Sequence, residues 1–350
     1  MRRLLTVGIV AGLCALVLAA ALDAVLDRGA PPKALPPPHV APEEREERAA
    51  AEDRAVLVGR LERLGVSGTL YLSPSECGSG DSRPLRTVLL PTLREVDGRP
   101  WSRCRFALSP DGSRAAAAGH TWQPDGDVLA AEVLPAGREG TIEAGSPEGT
   151  WSVRFPGEAP SFRPDATLTF VRSGEIMAWT PNCASGRCSR TLLSRADLAR
   201  AFRFDSGIPP DRRFVSSYGV EELAWSSETR LFAGLAVSVR FGPPTERLLA
   251  VFEGRRAVAG RPGLAGRFTD LRVSPDGRLL AMRSGDHVEV VGRRAETVWP
   301  SALEPVRSFA WSPDGEWLAV ATRASVYLVQ VADWTVLVRL PFSTHDLAWR

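Results

Sequence analysis

A chain of 350 residues with 43 Lys and Arg against 41 Asp and Glu has a formal net charge of only +2. This balance excludes a strongly basic or strongly acidic chain, so we expect no nucleic-acid partner. The 31 Gly and 28 Pro break the apolar residues into short runs, a pattern typical of many short strands joined by turns. The length suffices for one large repeat domain or two ordinary domains.

The amino-terminal segment combines a positive start with an apolar run. Arg2 and Arg3 precede an uninterrupted apolar stretch over residues 4–22, which Asp23 ends. About 19 helical residues reach roughly 28 Å, enough to cross the hydrocarbon core of a bilayer. We therefore predict a transmembrane signal anchor over residues 1–27, which makes the protein single-pass in the cell membrane with its body on the extracytoplasmic side. The alternative is a signal peptide cleaved after the small residues 19–21, which yields a secreted protein.

Residues 28–65 predict a spacer between this anchor and a folded domain. Proline recurs through residues 31–42, which favours an extended, semi-rigid polyproline linker. From Pro42, acidic residues in a first turn and a later apolar stripe predict a helix of about 20 residues that Gly65 ends. We expect the carboxy-terminal half of this helix to rest on the domain that follows, over residues 66–350.

One short phrase recurs through residues 66–350, and it joins alternating apolar residues to the turn Ser-Pro-Asp-Gly. Three intact copies begin at Phe106, Leu271 and Phe309. Degenerate copies are Pro160-Ser-Phe-Arg-Pro-Asp, Leu223-Ala-Trp-Ser-Ser-Glu and Leu347-Ala-Trp-Arg at the end of the chain. Proline fixes φ, Asp bonds the local backbone and Gly accepts positive φ, so each copy predicts a buried strand followed by a tight turn.

Three further apolar strands follow each turn, as in residues 317–321, 326–331 and 335–340. Four antiparallel strands in units of about 40 residues are typical of propeller blades. We predict an all-β fold, a β-propeller of six four-stranded blades. The strand at residues 346–350 supplies the first strand missing before residues 68–73, so the two termini complete one blade and remove an open edge.

The phrase resembles the WD-repeat-like motifs of TolB-type propellers, a family of exported bacterial proteins that are typically six-bladed. The resemblance covers roughly residues 66–350 and implies the fold. It does not imply an activity, because the motif serves the turn and many unrelated propellers carry it. This chain lacks the α/β domain that precedes the propeller of TolB itself, which argues against a direct role in a Tol system.

Four cysteines lie outside the apolar amino-terminal run, at Cys77, Cys104, Cys183 and Cys188. An even number suits two disulfides in an oxidising compartment. The blade positions make Cys77–Cys104 a reasonable bridge, and Cys183 and Cys188 can pin one hairpin loop. A zinc site is the weaker alternative, because the close pair lacks a second close pair.

No catalytic motif is present, and we expect no cofactor and no resident metal. None of the four histidines has a second His at metal-ligand spacing. The recurring acids Asp111, Asp276 and Asp314 fall in the turns, and residues 123–127 read as a further hairpin turn. Trp225, Trp311 and Trp349 occupy apolar positions of the phrase and are expected to pack in the core, with a ligand-stacking ring of indoles as the alternative. A hydrolase or lyase with a site at the central channel is the alternative from a different class.

One segment interrupts the repeat, at about residues 194–220. Ser194 and the following apolar spacing predict a short helix, and an Arg-rich and aromatic loop follows. Such residues are enriched at protein interfaces, and insertions in repeat folds often lie on a binding face. The candidate partner-binding residues are Arg203, Phe204, Arg212, Arg213, Phe214 and Tyr218. The alternative is an insertion that only covers a gap in its own propeller.

These features predict a membrane-anchored extracytoplasmic propeller that serves as a scaffold for binding a protein or ligand in the cell envelope. The expected partner is an envelope protein or a peptide, with a cell-wall component as a further option. We expect the propeller itself to be monomeric.

Overall fold

A computed structural model describes residues 42–74, 83–101, 106–109, 115–117, 120–122, 124–127, 129–133, 140–147, 149–150, 152–179, 189–201, 218–237, 246–262, 268–301, 303 and 305–350. The chain divides into two compact units, Met1–Val56 and Leu57–Arg350. Among the described residues no helix is long and apolar enough to cross a membrane, and the predicted anchor at residues 1–27 lies outside them.

The described elements are two helices and 26 strands. The helices are α1 (Pro42–Arg63) and α2 (Arg195–Ala201). The strands are β1 (Gly68–Leu72), β2 (Arg83–Leu90), β3 (Arg94–Trp101), β4 (Phe106–Leu108), β5 (Ala115–Ala117), β6 (His120–Trp122), β7 (Leu129–Val133), β8 (Thr141–Gly145), β9 (Ser152–Pro156), β10 (Glu158–Phe162), β11 (Leu168–Arg172), β12 (Glu175–Trp179), β13 (Arg190–Leu193), β14 (Tyr218–Trp225), β15 (Arg230–Val237), β16 (Glu246–Glu253), β17 (Arg256–Pro262), β18 (Phe268–Val273), β19 (Leu280–Ser284), β20 (His287–Val291), β21 (Thr297–Pro300), β22 (Val306–Trp311), β23 (Trp317–Thr322), β24 (Val326–Gln330), β25 (Val336–Leu340) and β26 (Leu347–Trp349).

The strands form six four-stranded antiparallel sheets and one two-stranded sheet within the described ranges. Five four-stranded sheets follow the chain in simple order: β6 to β9, β10 to β13, β14 to β17, β18 to β21 and β22 to β25. The sixth has the order β26-β1-β2-β3. First strands of consecutive sheets contact each other, as β14 does with β10 and β18. The all-β, propeller-like arrangement predicted from the repeat is therefore present.

The last strand pairs with the first, as the sequence predicts. In register, Leu70 faces Trp349 and Leu72 faces Leu347. The N–H of Arg350 donates to the carbonyl of Thr69 at 2.9 Å. The side chains of Leu347 and Trp349 are buried, so a strand of only three residues contributes two large apolar side chains to the core.

The recurring turns owe their shape to the residues predicted to form them. The Asp276 carboxylate accepts hydrogen bonds from the Ser274 hydroxyl at 2.6 Å and from the N–H of Arg278 at 3.0 Å. Gly277 has a φ of +70°, which glycine adopts without a Cβ clash. Asp314 makes the equivalent bond to the N–H of Glu316 at 2.9 Å. The predicted turn role of these two acids is confirmed, and Asp111 lies outside the described residues.

Among the described residues, the intact phrase at Phe106 heads a two-stranded sheet rather than a four-stranded one, which differs from the prediction. It forms β4, which pairs there with β5. The four-stranded sheet that follows begins at β6. The turn between β6 and β7 contains Asp125 and Gly126, and Gly126 has a φ of +83°. Asp125 accepts a hydrogen bond from the N–H of Asp127 at 3.1 Å. Trp122-Gln-Pro-Asp-Gly is thus a further copy of the strand-and-turn pattern, only about 14 residues after the previous one.

Helix α1 ends where Gly65 adopts a φ of +68°, as predicted. The N–H of Val66 then donates to the carbonyl of Leu61 at 3.0 Å, which satisfies a carbonyl at the helix end. Leu61 is fully buried in a cluster that contains Leu70 and Trp349, and Leu57 packs against the same cluster. The last turns of the helix therefore belong to the core of the sheet domain.

Candidate functional site around helix α2

Helix α2 opens the predicted insertion, and its first turn is capped from both directions. The N–H of Asp197 donates to the Ser194 hydroxyl at 3.3 Å, and the N–H of Ser194 donates to Asp197 Oδ2 at 2.9 Å. This reciprocal pattern is a capping box with Asp in the acidic position. Leu198 and Ala201 are fully buried in the core. The predicted helix is confirmed.

Polar contacts fix α2 to two adjacent sheets. Arg255, in the turn between β16 and β17, donates from Nε and Nη2 to Asp197 Oδ2 at 3.1 and 2.8 Å. Arg200 Nη2 donates to the other carboxylate oxygen at 2.7 Å. At the start of the helix, Arg195 Nε donates to the carbonyl of Ser173, between β11 and β12, at 2.7 Å. Helix α2 is therefore attached to both sheets, at Ser173 and at Arg255.

Burial raises the pKa of Asp197, but the hydrogen bonds from Arg255 and Ser194 outweigh this effect and hold the pKa below its ordinary value of 3.8. A carboxylate whose pKa is depressed by folding stabilises the folded state above its unfolded-state pKa. That contribution is lost as the pH falls through the folded-state pKa. The attachment of α2 should thus weaken only in strong acid.

Replacing Asp197 with Asn tests this attachment. At pH 7 we expect Asp197→Asn to lower the free energy of unfolding by about 1–2 kcal/mol, because a buried charged acceptor for two arginines is lost. The difference should begin to shrink below about pH 4, where the carboxylate of the unfolded chain takes up protons, and it should vanish only below the depressed pKa of Asp197 in the folded state. Urea unfolding at pH 7 and pH 3 measures both values, with the exposed Asp286→Asn as control. A difference that is equal at the two pH values would contradict the account.

The structure locates the predicted partner-binding residues only in part. Tyr218 is the first residue of β14, and its backbone pairs with Val237. Arg203, Phe204, Arg212, Arg213 and Phe214 lie outside the described residues, between the end of α2 and the start of β14. Their role stays a prediction.

The predicted disulfides also stay predictions. Cys77, Cys104, Cys183 and Cys188 all lie outside the described residues. Within the described part of the chain, no group of three or more His, Cys, Asp or Glu side chains is placed to hold a metal ion.

The first strands of three sheets meet at a polar contact that the sequence did not predict. Arg272 Nη1, on β18, donates to the carbonyls of Phe309 on β22 at 2.6 Å and Leu347 on β26 at 3.1 Å. Its Nη2 lies 3.5 Å from the buried Asp346 carboxylate, which also accepts a hydrogen bond from the Ser308 hydroxyl. These contacts join neighbouring sheets. One sequence feature could have indicated this contact. Arg272 occupies the second position of the phrase, where the other copies have Ala or Ser.

The tryptophans of the phrase lie in the packing between strands, as predicted. Trp349 and Trp311 are buried, and Trp225 is half-buried. Each indole N–H has an acceptor: Trp311 donates to the carbonyl of Arg272 at 2.8 Å, and Trp225 donates to the Thr169 hydroxyl at 2.8 Å. A buried indole needs such a partner, so these side chains are structural.

No protein-family model matches the chain, and no curated protein matches it. Among solved structures, the chain is similar to the β-propeller domain of Cps50 (Swd1) from Myceliophteria thermophila. The identity is 13%, the match covers 76% of this chain and 84% of that chain, and the TM-score is 0.47. The propeller-like fold rests on the order of the chain's own strands.

Proposed function

We propose that this chain is a binding scaffold that presents the segment between α2 and β14 to a protein partner in the cell envelope. The main support for this proposal is the attachment of α2 to the sheets. Its Asp197 contacts Arg255 in the turn between β16 and β17, and its Leu198 is buried in the core. A loop that leaves a fixed helix loses less conformational freedom on binding than one that leaves a mobile chain. The composition of the segment, rich in Arg and Phe, supports the same role.

The location is part of the proposal. The apolar run over residues 4–22, with Arg2 and Arg3 before it, would hold the chain in the membrane and place the sheet domain outside. The proline-rich residues that follow would act as a spacer between the bilayer and the TolB-like propeller. Closure of that propeller by β26, in a ring of six blades, belongs to the same proposal.

Affinity capture from the protein's own membranes tests the binding role. We expect a partner that copurifies with the full chain and is lost when residues 203–216 are deleted. The deletion keeps α2, so the buried Leu198 and Ala201 remain in the core. A triple variant, Arg212→Ala, Arg213→Ala and Phe214→Ala, should weaken capture at least tenfold, as expected when hot-spot side chains are removed.

The control removes two exposed arginines elsewhere, with Arg293→Ala and Arg294→Ala in the turn between β20 and β21. This variant should capture the partner as well as the wild type does. Equal capture by the wild type and by the folded deletion variant would overturn the proposal.

A further inference from the structure

Four exposed arginines lie on α2 and on the β16–β17 hairpin, whose second strand contacts α2. Arg195 and Arg200 lie on α2, and Arg255 and Arg256 lie in and just after the turn between β16 and β17. We call this set the α2 basic surface. The side chains of Arg200 and Arg255 are 54% and 67% exposed, although both contact Asp197.

The carboxylates of α2 and of the adjoining turn do not neutralise this surface. Asp197 is only 2% exposed and faces two arginines at once. Glu253, which precedes the turn, forms an ion pair with Arg230 at 3.0 Å. On α2 and the β16–β17 turn, the single buried carboxylate of Asp197 therefore contacts both Arg200 and Arg255. The outer faces of these two guanidinium groups are exposed to solvent.

The guanidinium groups of Arg200 and Arg255 are held in place, and each keeps N–H donors that no group within the described ranges accepts. Each has five N–H donors. Arg255 uses two nitrogens, Nε and Nη2, on Asp197, and Arg200 uses Nη2 on Asp197 and Nε on the carbonyl of Ala196. Cations fixed before binding lose less side-chain entropy than mobile ones, and charge-assisted bonds to carboxylates are strong.

We propose that the α2 basic surface binds an acidic segment, rich in Asp or Glu, of the partner protein. This inference rests on the proposed function, which supplies a protein as the occupant. The positive charge of the four arginines is the reason to expect an acidic ligand. The outer N–H groups of Arg200 and Arg255 offer a partner carboxylate the same type of contact that they already make with Asp197.

Fluorescence anisotropy with a labelled peptide of ten glutamates tests the inference on the full chain. We expect Arg200→Gln with Arg256→Gln to weaken binding about tenfold in dilute salt, because two cationic contacts are lost. This variant leaves Arg255 on Asp197, so the attachment of α2 is retained. The matched control, Arg293→Gln with Arg294→Gln, removes the same charge from another turn and should change binding less than about twofold.

Binding of the wild type should also weaken as salt rises from about 0.05 to 0.5 M, because salt screens exposed charges. Equal weakening by both double variants would overturn the assignment to this surface. Tighter binding of a polyphosphate of similar length would overturn the choice of a carboxylate ligand. If capture is lost on deletion of residues 203–216 while the peptide binds both double variants equally, the proposed function stands and this inference fails.

Discussion

Truncating Trp349 should cost the domain about 4 kcal/mol of unfolding free energy, the largest effect we expect from one side chain. Trp349 is 2% exposed, and its neighbours in the core include Leu61, Leu70 and Leu72. Removing a buried aromatic side chain loses its transfer free energy and leaves a cavity, typically about 3–5 kcal/mol in total. Urea unfolding of Trp349→Ala, followed by circular dichroism, measures the loss.

A conservative variant separates the packing of Trp349 from its hydrogen bond. In Trp349→Phe, an aromatic ring remains, but the indole N–H that donates to the carbonyl of Ser67 at 3.0 Å is lost. We expect this variant to lose about 1–2 kcal/mol. If Trp349→Ala lost less than about 1 kcal/mol, β26 would not be packed against β1 as described.

Adding one methyl group at Gly68 should destabilise the domain by about 3 kcal/mol. Gly68 has a φ of +110°, and a Cβ there would lie 2.6 Å from Trp349 Nε1 and 2.7 Å from the carbonyl oxygen of Arg350. The variant Gly68→Ala combines backbone strain of about 1–2 kcal/mol with an overpacking cost of about 1–3 kcal/mol. The clash falls on the buried indole ring of Trp349 and on the backbone carbonyl of Arg350, and neither group moves aside as the end of a flexible side chain can.

Gly254→Ala is the matched control for Gly68→Ala. Gly254 also has a positive φ, of +57°, but a Cβ there would meet no atom within 4 Å. We expect it to lose only about 1 kcal/mol, from backbone strain. Thermal and urea unfolding compare the two variants, and equal losses would contradict the close approach of β26 to Gly68.

The sequence predicts the repeated part of the fold well, because its turn chemistry is local. Each Ser-Pro-Asp-Gly turn needs specific residues, and each turn is bracketed by alternating apolar residues that form strands. This is why the boundaries of β23, β24 and β25 lie within one residue of the strands predicted at residues 317–321, 326–331 and 335–340. The pairing of β26 with β1 was predictable for a related reason, since each terminal segment lacked a partner strand.

The split between β4–β5 and β6–β9 was not predicted, although Pro-Asp-Gly follows both β4 and β6 in the sequence. The phrase at Phe106 and the pattern at Trp122 are too close for each to begin a full blade. Local turn chemistry does not determine which of two nearby turns begins a four-stranded sheet. That choice depends on pairing between strands further apart in the chain.

The sequence predicted helix α2 itself but not the contacts that attach it to the sheets. Ser194 and the apolar spacing indicate the helix, but nothing near Arg255 indicates that it contacts Asp197, 58 residues earlier in the chain. The same holds for Arg272 and Asp346, which meet across three sheets. Charge pairs between sheets depend on the packing of the whole domain, so a single sequence does not reveal them.

The central claim is that the segment after α2 contacts the partner, and site-specific photo-crosslinking tests it most directly. A photoreactive phenylalanine analogue would replace Phe214 in the full chain, in membranes from the protein's own cells. The same analogue would replace Arg323, an exposed residue between β23 and β24, as the control. The account predicts one specific crosslinked protein from position 214, the same one that affinity capture recovers. Crosslinking of that protein from position 323 but not from 214 would contradict it.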